Sequence, residues 1–252
     1  MKTGFGLMLA ALGVGLSTTV IADDDVDRFS DSFDWYGSVS ASYLNVGGDL
    51  EFFGNTASVY GGTPTIDMDD GGRLSLAFGI KAPQGWRLEG DVGYLTLNSD
   101  ADQVFGLDDR AEDSFSVDAE IESLVFMLNG IYDFDIGNQK ILPYVKAGVG
   151  VARNKATQAL LDVNYVAPIW DGSIFEGESL TGYAYPEAEV TEFVWNVGAG
   201  LRLQLSRKFS LAFEYGFTDL GEAVTGTDEN GDALGITDLN TQQLTLGLTY
   251  DF

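Results

Sequence analysis

Hydrophobic and polar residues alternate along most of this chain with a period of two. In 73–81, Leu74, Leu76, Phe78 and Ile80 fall on one side, and Arg73, Ser75, Ala77, Gly79 and Lys81 on the other. Successive side chains of a β-strand point to opposite faces, so this pattern predicts a strand with one apolar and one polar face. The same rhythm recurs at 35–43, 86–94, 121–134, 143–153, 193–203, 209–217 and 244–252. These eight segments are near the ~9–11 residues that cross a bilayer as a tilted strand.

The connections alternate in length. Those at 82–85, 135–141 and 205–208 are short, whereas 45–72, 98–119, 154–192 and 219–243 are long. In an up-and-down sheet, alternate connections lie at the same end. Short turns therefore collect at one end and long loops at the other, the asymmetry of membrane-spanning barrels. The 154–192 loop includes the apolar run from Leu160 to Trp170. That run suits a hairpin rising above the membrane, a cover for the mouth, a partner contact or two further strands, which would make ten. Pro168 speaks against a central strand there.

Alternation alone does not say which face points inward, because soluble barrels alternate too. The aromatic residues help to decide. Trp35, Trp86, Tyr132, Phe134, Phe209, Tyr250 and Phe252 fall at the short-turn end, and Tyr43, Tyr94, Phe193, Trp195, Tyr215 and Phe217 at the long-loop end. Two girdles separated by aliphatic residues fit the two interfaces of a bilayer. The polar face carries Arg73, Lys81, Arg87, Lys146, Arg153 and Arg202 together with Glu89, Asp91, Glu122 and Glu214. Inside a narrow barrel these charges must pair, since an unpaired buried charge is costly. A sheet in lipid must also close, leaving no backbone group without a partner. The expected fold is all-β: a transmembrane, antiparallel, up-and-down barrel of eight strands.

Composition adds export and excludes several partners. Lys2, an apolar stretch from Gly4 and the run Val20-Ile21-Ala22 read as a secretory leader cleaved after Ala22. The expected organisation is a signal peptide at 1–22, a short periplasmic segment at 23–34 and a barrel at 35–252. No cysteine is present, so stability cannot come from disulfides. The net charge of −26 becomes one unit more negative when Lys2 leaves. So acidic a chain is a poor partner for nucleic acid, whose binding rests on Lys and Arg neutralising phosphates. It is compatible with a cell surface rich in divalent cations.

The C-terminal run Thr245-Leu246-Gly247-Leu248-Thr249-Tyr250-Asp251-Phe252 resembles the assembly signal of bacterial outer-membrane proteins, with Thr245, Gly247, Tyr250 and Phe252 at the signal positions. That resemblance implies recognition by the barrel-assembly machinery. The runs from Pro143 to Ala152, from Trp195 to Arg202 and from Phe213 to Phe217 add a wider one. With them the chain resembles the OmpA/OmpX-like superfamily of small outer-membrane barrels, which includes opacity-type and porin-like surface proteins. The resemblance implies the outer membrane of a Gram-negative envelope, with membrane lipid and lipopolysaccharide as surroundings. The long loops exceed those of the smallest members, and the peptidoglycan-binding domain of full-length OmpA has no counterpart in this sequence.

Candidate chemistry is sparse. The sequence has no histidine, which removes the usual base of serine hydrolases, and no cysteine nucleophile or Cys/His zinc site. Glu89 and Asp91 lie on one wall, an arrangement that favours ion pairing over the two-sided carboxylates of a glycosidase. Asp67, Asp69 and Asp70 in one loop and Asp228, Asn230 and Asp232 in another could offer oxygens to calcium, although neither run has EF-hand spacing. Asp, Asn and Gly also favour plain turns. No cofactor and no enzymatic activity are expected. The expected function is a non-catalytic surface scaffold serving envelope integrity, adhesion or ligand contact through acidic loops. The alternative is a narrow porin-like channel for small solutes.

Overall fold

In the computed structural model, residues 33–53, 66–68, 70–105, 113–137, 140–164, 179–229 and 231–252 are described. The expected leader and most of the 23–34 segment lie outside them. The strands are β1 (Asp34–Gly47), β2 (Asp49–Phe53), β3 (Ile66–Asp67), β4 (Gly71–Lys81), β5 (Trp86–Phe105), β6 (Asp113–Asp133), β7 (Ile141–Asn164), β8 (Ser179–Ala184), β9 (Ala188–Gln204), β10 (Phe209–Val224) and β11 (Ala233–Asp251). Eight of these form a ring in the order β1, β4, β5, β6, β7, β9, β10, β11, and β11 pairs back onto β1. All the pairings are antiparallel. The seam runs from Tyr36 opposite Asp251 to Gly47 opposite Asn240. At its foot, the Phe252 N–H donates to the Trp35 carbonyl at 3.2 Å.

The outside of the lower barrel is an apolar belt. Leu76 is 62 % exposed and Leu128 is 54 % exposed, with Leu74, Phe78, Leu88, Phe126, Val149, Leu201 and Phe213 also pointing outward. A water-facing monomer rarely exposes more than a few hundred Å² of contiguous apolar surface. A belt around the whole circumference therefore calls for lipid. Aromatic rings line its lower edge in mutual contact: Trp35 with Phe78, Trp86 with Tyr132, Phe209 with Tyr250, and Tyr250 with Phe252. At the upper edge the polar tips find partners. Tyr215 donates to Gln242, Trp195 to Asp219, Tyr43 to Asp70 and Tyr94 to Glu122. Rings in lipid with polar tips in water are the arrangement interfacial aromatics adopt.

The expected long loops are corrected in part, because the strands continue well past the belt. β5 and β6 remain paired up to Phe105 opposite Asp113. β7 continues to Asn164 and forms a hairpin with β8. Thus the 154–192 segment rises as a hairpin, and eight strands rather than ten close the barrel; residues 165–178 lie outside the described ones. The alternation persists above the belt, but its faces exchange polarity. On β5 the inward residues change from Arg87, Glu89 and Asp91 to Leu95 and Leu97, while Thr96 and Asn98 point outward. On β6 Ile121 and Ala119 are inward, and Glu122 and Glu120 outward.

Leu44, Leu50, Leu97, Ile121, Val125, Val194, Leu220, Leu234, Ile236 and Leu239 therefore join in one apolar core inside the upper barrel. Each fully buried Leu or Ile contributes roughly 1.5–3 kcal/mol. Two backbone irregularities let the upper strands close over this core. Gly48, at φ +99°, turns β1 into β2 where a Cβ would lie 2.6 Å from the Asp238 carbonyl oxygen. β10 shifts register between Asp219 and Ala223 around Gly221, at φ +76°. The Asn154 amide, buried on β7, donates across the interior to the carbonyls of Leu220 and Glu222, both at 2.8 Å, and so fixes that bulge.

Candidate functional site in the barrel interior

Three layers fill the barrel. The apolar core forms the top. A middle layer is made of amides and hydroxyls: Asn196 donates to Asn129 at 3.1 Å, Ser123 to Asn154 at 2.7 Å and Gln243 to Thr218 at 3.3 Å. The bottom layer is charged and centres on Asp133 at the foot of β6.

Asp133 accepts two hydrogen bonds from Arg87, Nε to Oδ2 and Nη2 to Oδ1, both at 3.0 Å. Its Oδ2 also accepts from Nη2 of Arg202 at 2.7 Å. The Arg87 guanidinium lies over two rings, 5.7 Å from the Tyr36 centroid and 5.2 Å from that of Tyr144. Those tyrosines extend the network, Tyr36 donating to Glu89 at 3.0 Å and Tyr144 to Glu214 at 2.9 Å. Lys146 pairs with Glu214, Arg73 with Asp91, and Lys81 with Asp251 at 2.6 Å. A planar guanidinium presenting its fork to a carboxylate is the strong form of such a pair.

Small inward residues make room for these long ones. A Cβ at Gly79 would fall on the Tyr36 ring, and one at Gly200 would lie 2.6 Å from Cζ of Tyr144. Gly200→Val is therefore expected to destabilise the barrel by about 1–3 kcal/mol. Denaturant unfolding in detergent micelles measures this, and an unchanged midpoint would contradict close packing at Tyr144. The opposite wall carries Ser38, Ser40, Ser42, Ala77, Ala212 and Gly247, short side chains that leave a polar cavity of about 70 Å³. Such a space accommodates a handful of waters. It is well below the roughly 300–1,000 Å³ of an ordinary ligand pocket.

The residues expected in the lumen fall into two groups. Arg73, Lys81, Arg87, Glu89, Asp91, Lys146, Arg202 and Glu214 all point inward and lie in this layer. Glu122 and Arg153 do not, and their assignment to the lumen is corrected. Glu122 has the same parity as Leu124, points outward and accepts from Tyr94. Arg153 has the parity of Val151, is 60 % exposed and pairs with Glu189 on the outer wall. Both sit above the belt, where the exterior is wet and charge needs no burial. Lys155 pairs there with Glu187 at 2.9 Å, and that hydrogen bond raises the ammonium pKa above its ordinary value.

The described members of the acidic runs serve as turn and rim residues. Asp70 accepts from Tyr43 and from Asn45, the latter at 3.0 Å. Asp228 accepts from the Asp232 N–H at 2.8 Å, closing a turn. Asp69 and Asn230 lie outside the described residues, and of Asp67 only the backbone is described. At the C-terminus, Thr245 and Gly247 face the interior, with the Thr245 hydroxyl 2.8 Å from that of Ser42. Tyr250 and Phe252 face outward in the lower girdle.

The chain matches the family model described as the outer membrane protein beta-barrel domain over residues 8–252. It is a member of the outer-membrane protein β-barrel family. Among solved structures, OprG from Pseudomonas aeruginosa is similar at 13 % identity, covering 88 % of this chain and 97 % of that one, with a TM-score of 0.55. Neisserial surface protein A is 15 % identical over 86 % and 97 % of the two chains, with a TM-score of 0.43. The outer membrane protease OmpT from Escherichia coli is 12 % identical over 88 % and 98 %, with a TM-score of 0.47. No curated protein matches. The likeness to OprG shows the fold, an eight-stranded antiparallel barrel in the outer membrane.

Within this outer-membrane barrel, three features escaped the reading of the sequence. Asp133 joins two arginines, but it stands beside the girdle residues Tyr132 and Phe134; its inward parity, shared with Asn129 and Ile131, was the available signal. Tyr36 and Tyr144 are interior partners of Arg87 and not interfacial rings, and again parity separates them from Trp35 and Val145. The apolar core was hidden because Leu50, Leu220, Leu234, Ile236 and Leu239 lie in segments that look like loops, and Ile121, Val125 and Val194 lie on what a membrane-type polarity takes for the polar face.

Proposed function

We propose that this barrel is a closed, non-catalytic scaffold of the outer membrane that meets the environment through its acidic upper rim. The layered interior carries this reading. A polar chamber of about 70 Å³ ends against an apolar core, with Leu97, Ile236 and Leu239 at zero exposure. Ions crossing a dry apolar layer meet a steep barrier, the principle by which hydrophobic constrictions gate pores. Above the belt the outer wall bears Glu120, Glu122, Glu222 and Asp238, while Arg153 and Lys155 are tied to Glu189 and Glu187. A carboxylate-rich rim favours contact with anionic lipopolysaccharide through bridging divalent cations.

Two experiments test the reading. Proteoliposomes holding the folded barrel should swell no faster in isosmotic arabinose than protein-free vesicles; faster swelling would mean a solute channel. In lipopolysaccharide vesicles, magnesium should raise the unfolding temperature of the parent barrel. It should raise it less when Glu120, Glu222 and Asp238 are replaced by Gln or Asn. An equal rise in both would remove the rim from the account.

A further inference from the structure

We propose that a groove on the outer wall, over the seam between β11 and β1, holds one anionic phospholipid, with an acyl chain in the groove and the phosphate against Lys208. The groove is about 330 Å³ in volume, and Gly37, Val39, Leu76, Phe209, Leu248 and Tyr250 line it. Its floor is the β1 backbone at Gly37, which has the outward parity of Trp35 and Val39 but presents no side chain. Neither backbone nor packing demands that glycine. Its φ is not positive, and a Cβ there would lie 3.7 Å from the Phe252 ring, an ordinary contact. A chain methylene fills about the 30 Å³ that a water takes in the liquid, so the groove admits on the order of ten carbons of one chain.

A cation stands at the foot of the groove. The Lys208 ammonium donates to the Tyr250 hydroxyl at 3.1 Å and lies 5.3 Å from the centroid of the same ring. Tyr250 thus joins the two parts of the site, its ring lining the groove and its hydroxyl meeting the charge. Lys208 has no carboxylate partner among the described residues. Asp251, opposite it on β11, is tied to Lys81, and Asp34 has the inward parity of Tyr36. Short turns of such barrels face the periplasm, so this ammonium sits at the headgroups of the inner leaflet. An interfacial cation directly below an apolar groove matches a lipid phosphate in charge and in height.

A second copy of the barrel is the competing occupant. Copies in one membrane share an orientation, so a symmetric pair meeting over this groove would bring both Lys208 side chains to the same edge. Like charges oppose that pairing, whereas a phosphate is attracted.

The test uses the full barrel refolded in a nonionic detergent, with dilauroyl phosphatidylglycerol or dilauroyl phosphatidylcholine added at equal concentration. Native mass spectrometry should find one phosphatidylglycerol retained per barrel where phosphatidylcholine is mostly lost. Lys208→Gln should weaken phosphatidylglycerol about fivefold, the effect of one basic residue at an anionic surface. Gly37→Leu should fill the groove and weaken retention of phosphatidylglycerol, and Arg153→Gln, above the belt, should leave it unchanged. If a variant fails to fold, the comparison of the two lipids on the unmodified barrel decides. Equal retention of the two lipids, or phosphatidylglycerol binding indifferent to Lys208→Gln or to Gly37→Leu, overturns the proposal. So does a lipid-free dimer that Gly37→Leu abolishes, which would make the groove a contact between copies.

Discussion

Asp133→Ala is expected to be the most damaging single change in the lower barrel, costing about 3–5 kcal/mol. The substitution removes the acceptor of three hydrogen bonds and leaves Arg87 and Arg202 facing each other, both 94 % buried. Neither guanidinium can reach bulk water or escape by losing its proton, since arginine stays charged. Denaturant unfolding from micelles, followed by the shift in gel mobility between folded and unfolded barrel, would read the loss. Replacing the arginines as well, with methionine at 87 and 202, should restore much of the stability, because the penalty lies in unpaired charge. Arg153→Ala provides the contrast. It breaks an ion pair too, but one on the wet outer wall, and the unfolding midpoint should barely move. Equal costs for Asp133→Ala and Arg153→Ala would contradict a dry, charge-balanced interior.

The second large effect concerns conduction. Leu97 and Leu239 are fully buried in the apolar core above the chamber. Changing both to serine should turn a silent barrel into one that passes brief, salt-dependent currents. Changing both to alanine should not. Each truncation costs about 2–5 kcal/mol, but an apolar void stays dry, whereas a void lined by hydroxyls can hold water and give ions a path. Planar-bilayer recording of the two double variants separates these outcomes. Currents from the alanine pair as large as those from the serine pair would mean that volume, and not wetting, controls the barrier.

Much of the lower barrel was legible in the sequence because two independent rules agree there. Period-two alternation divides Leu74, Leu76 and Phe78 from Arg73, Ser75 and Ala77, and the bilayer then dictates that the apolar set faces out. The same rule, applied strictly, would have put Glu122 with Leu124 and Arg153 with Val151 on the outer wall. Both were assigned by charge instead of by position. Above the belt the surrounding solvent changes from lipid to water, and the rule inverts: Leu95, Leu97 and Ile121 turn inward, and Glu120 and Glu122 turn outward. A reading that fixes one polarity for the whole chain mistakes this upper barrel for loops. The bulge at Gly221 adds a local obstacle, since a register shift changes the inward parity from Leu220 to Ala223. Asp133 shows a different limit. Its position gives its direction, but no pattern in the sequence pairs it with Arg87 and Arg202, which lie 46 and 69 residues away.

The most direct test of the closed-scaffold account is single-channel recording of the unmodified barrel, folded into a planar lipid bilayer at high and low salt. The account predicts no unitary conductance, since the polar chamber stops at the core around Leu97 and Leu239. Steady unitary currents that scale with salt and change on Arg202→Gln would contradict it, and would make the barrel a narrow channel.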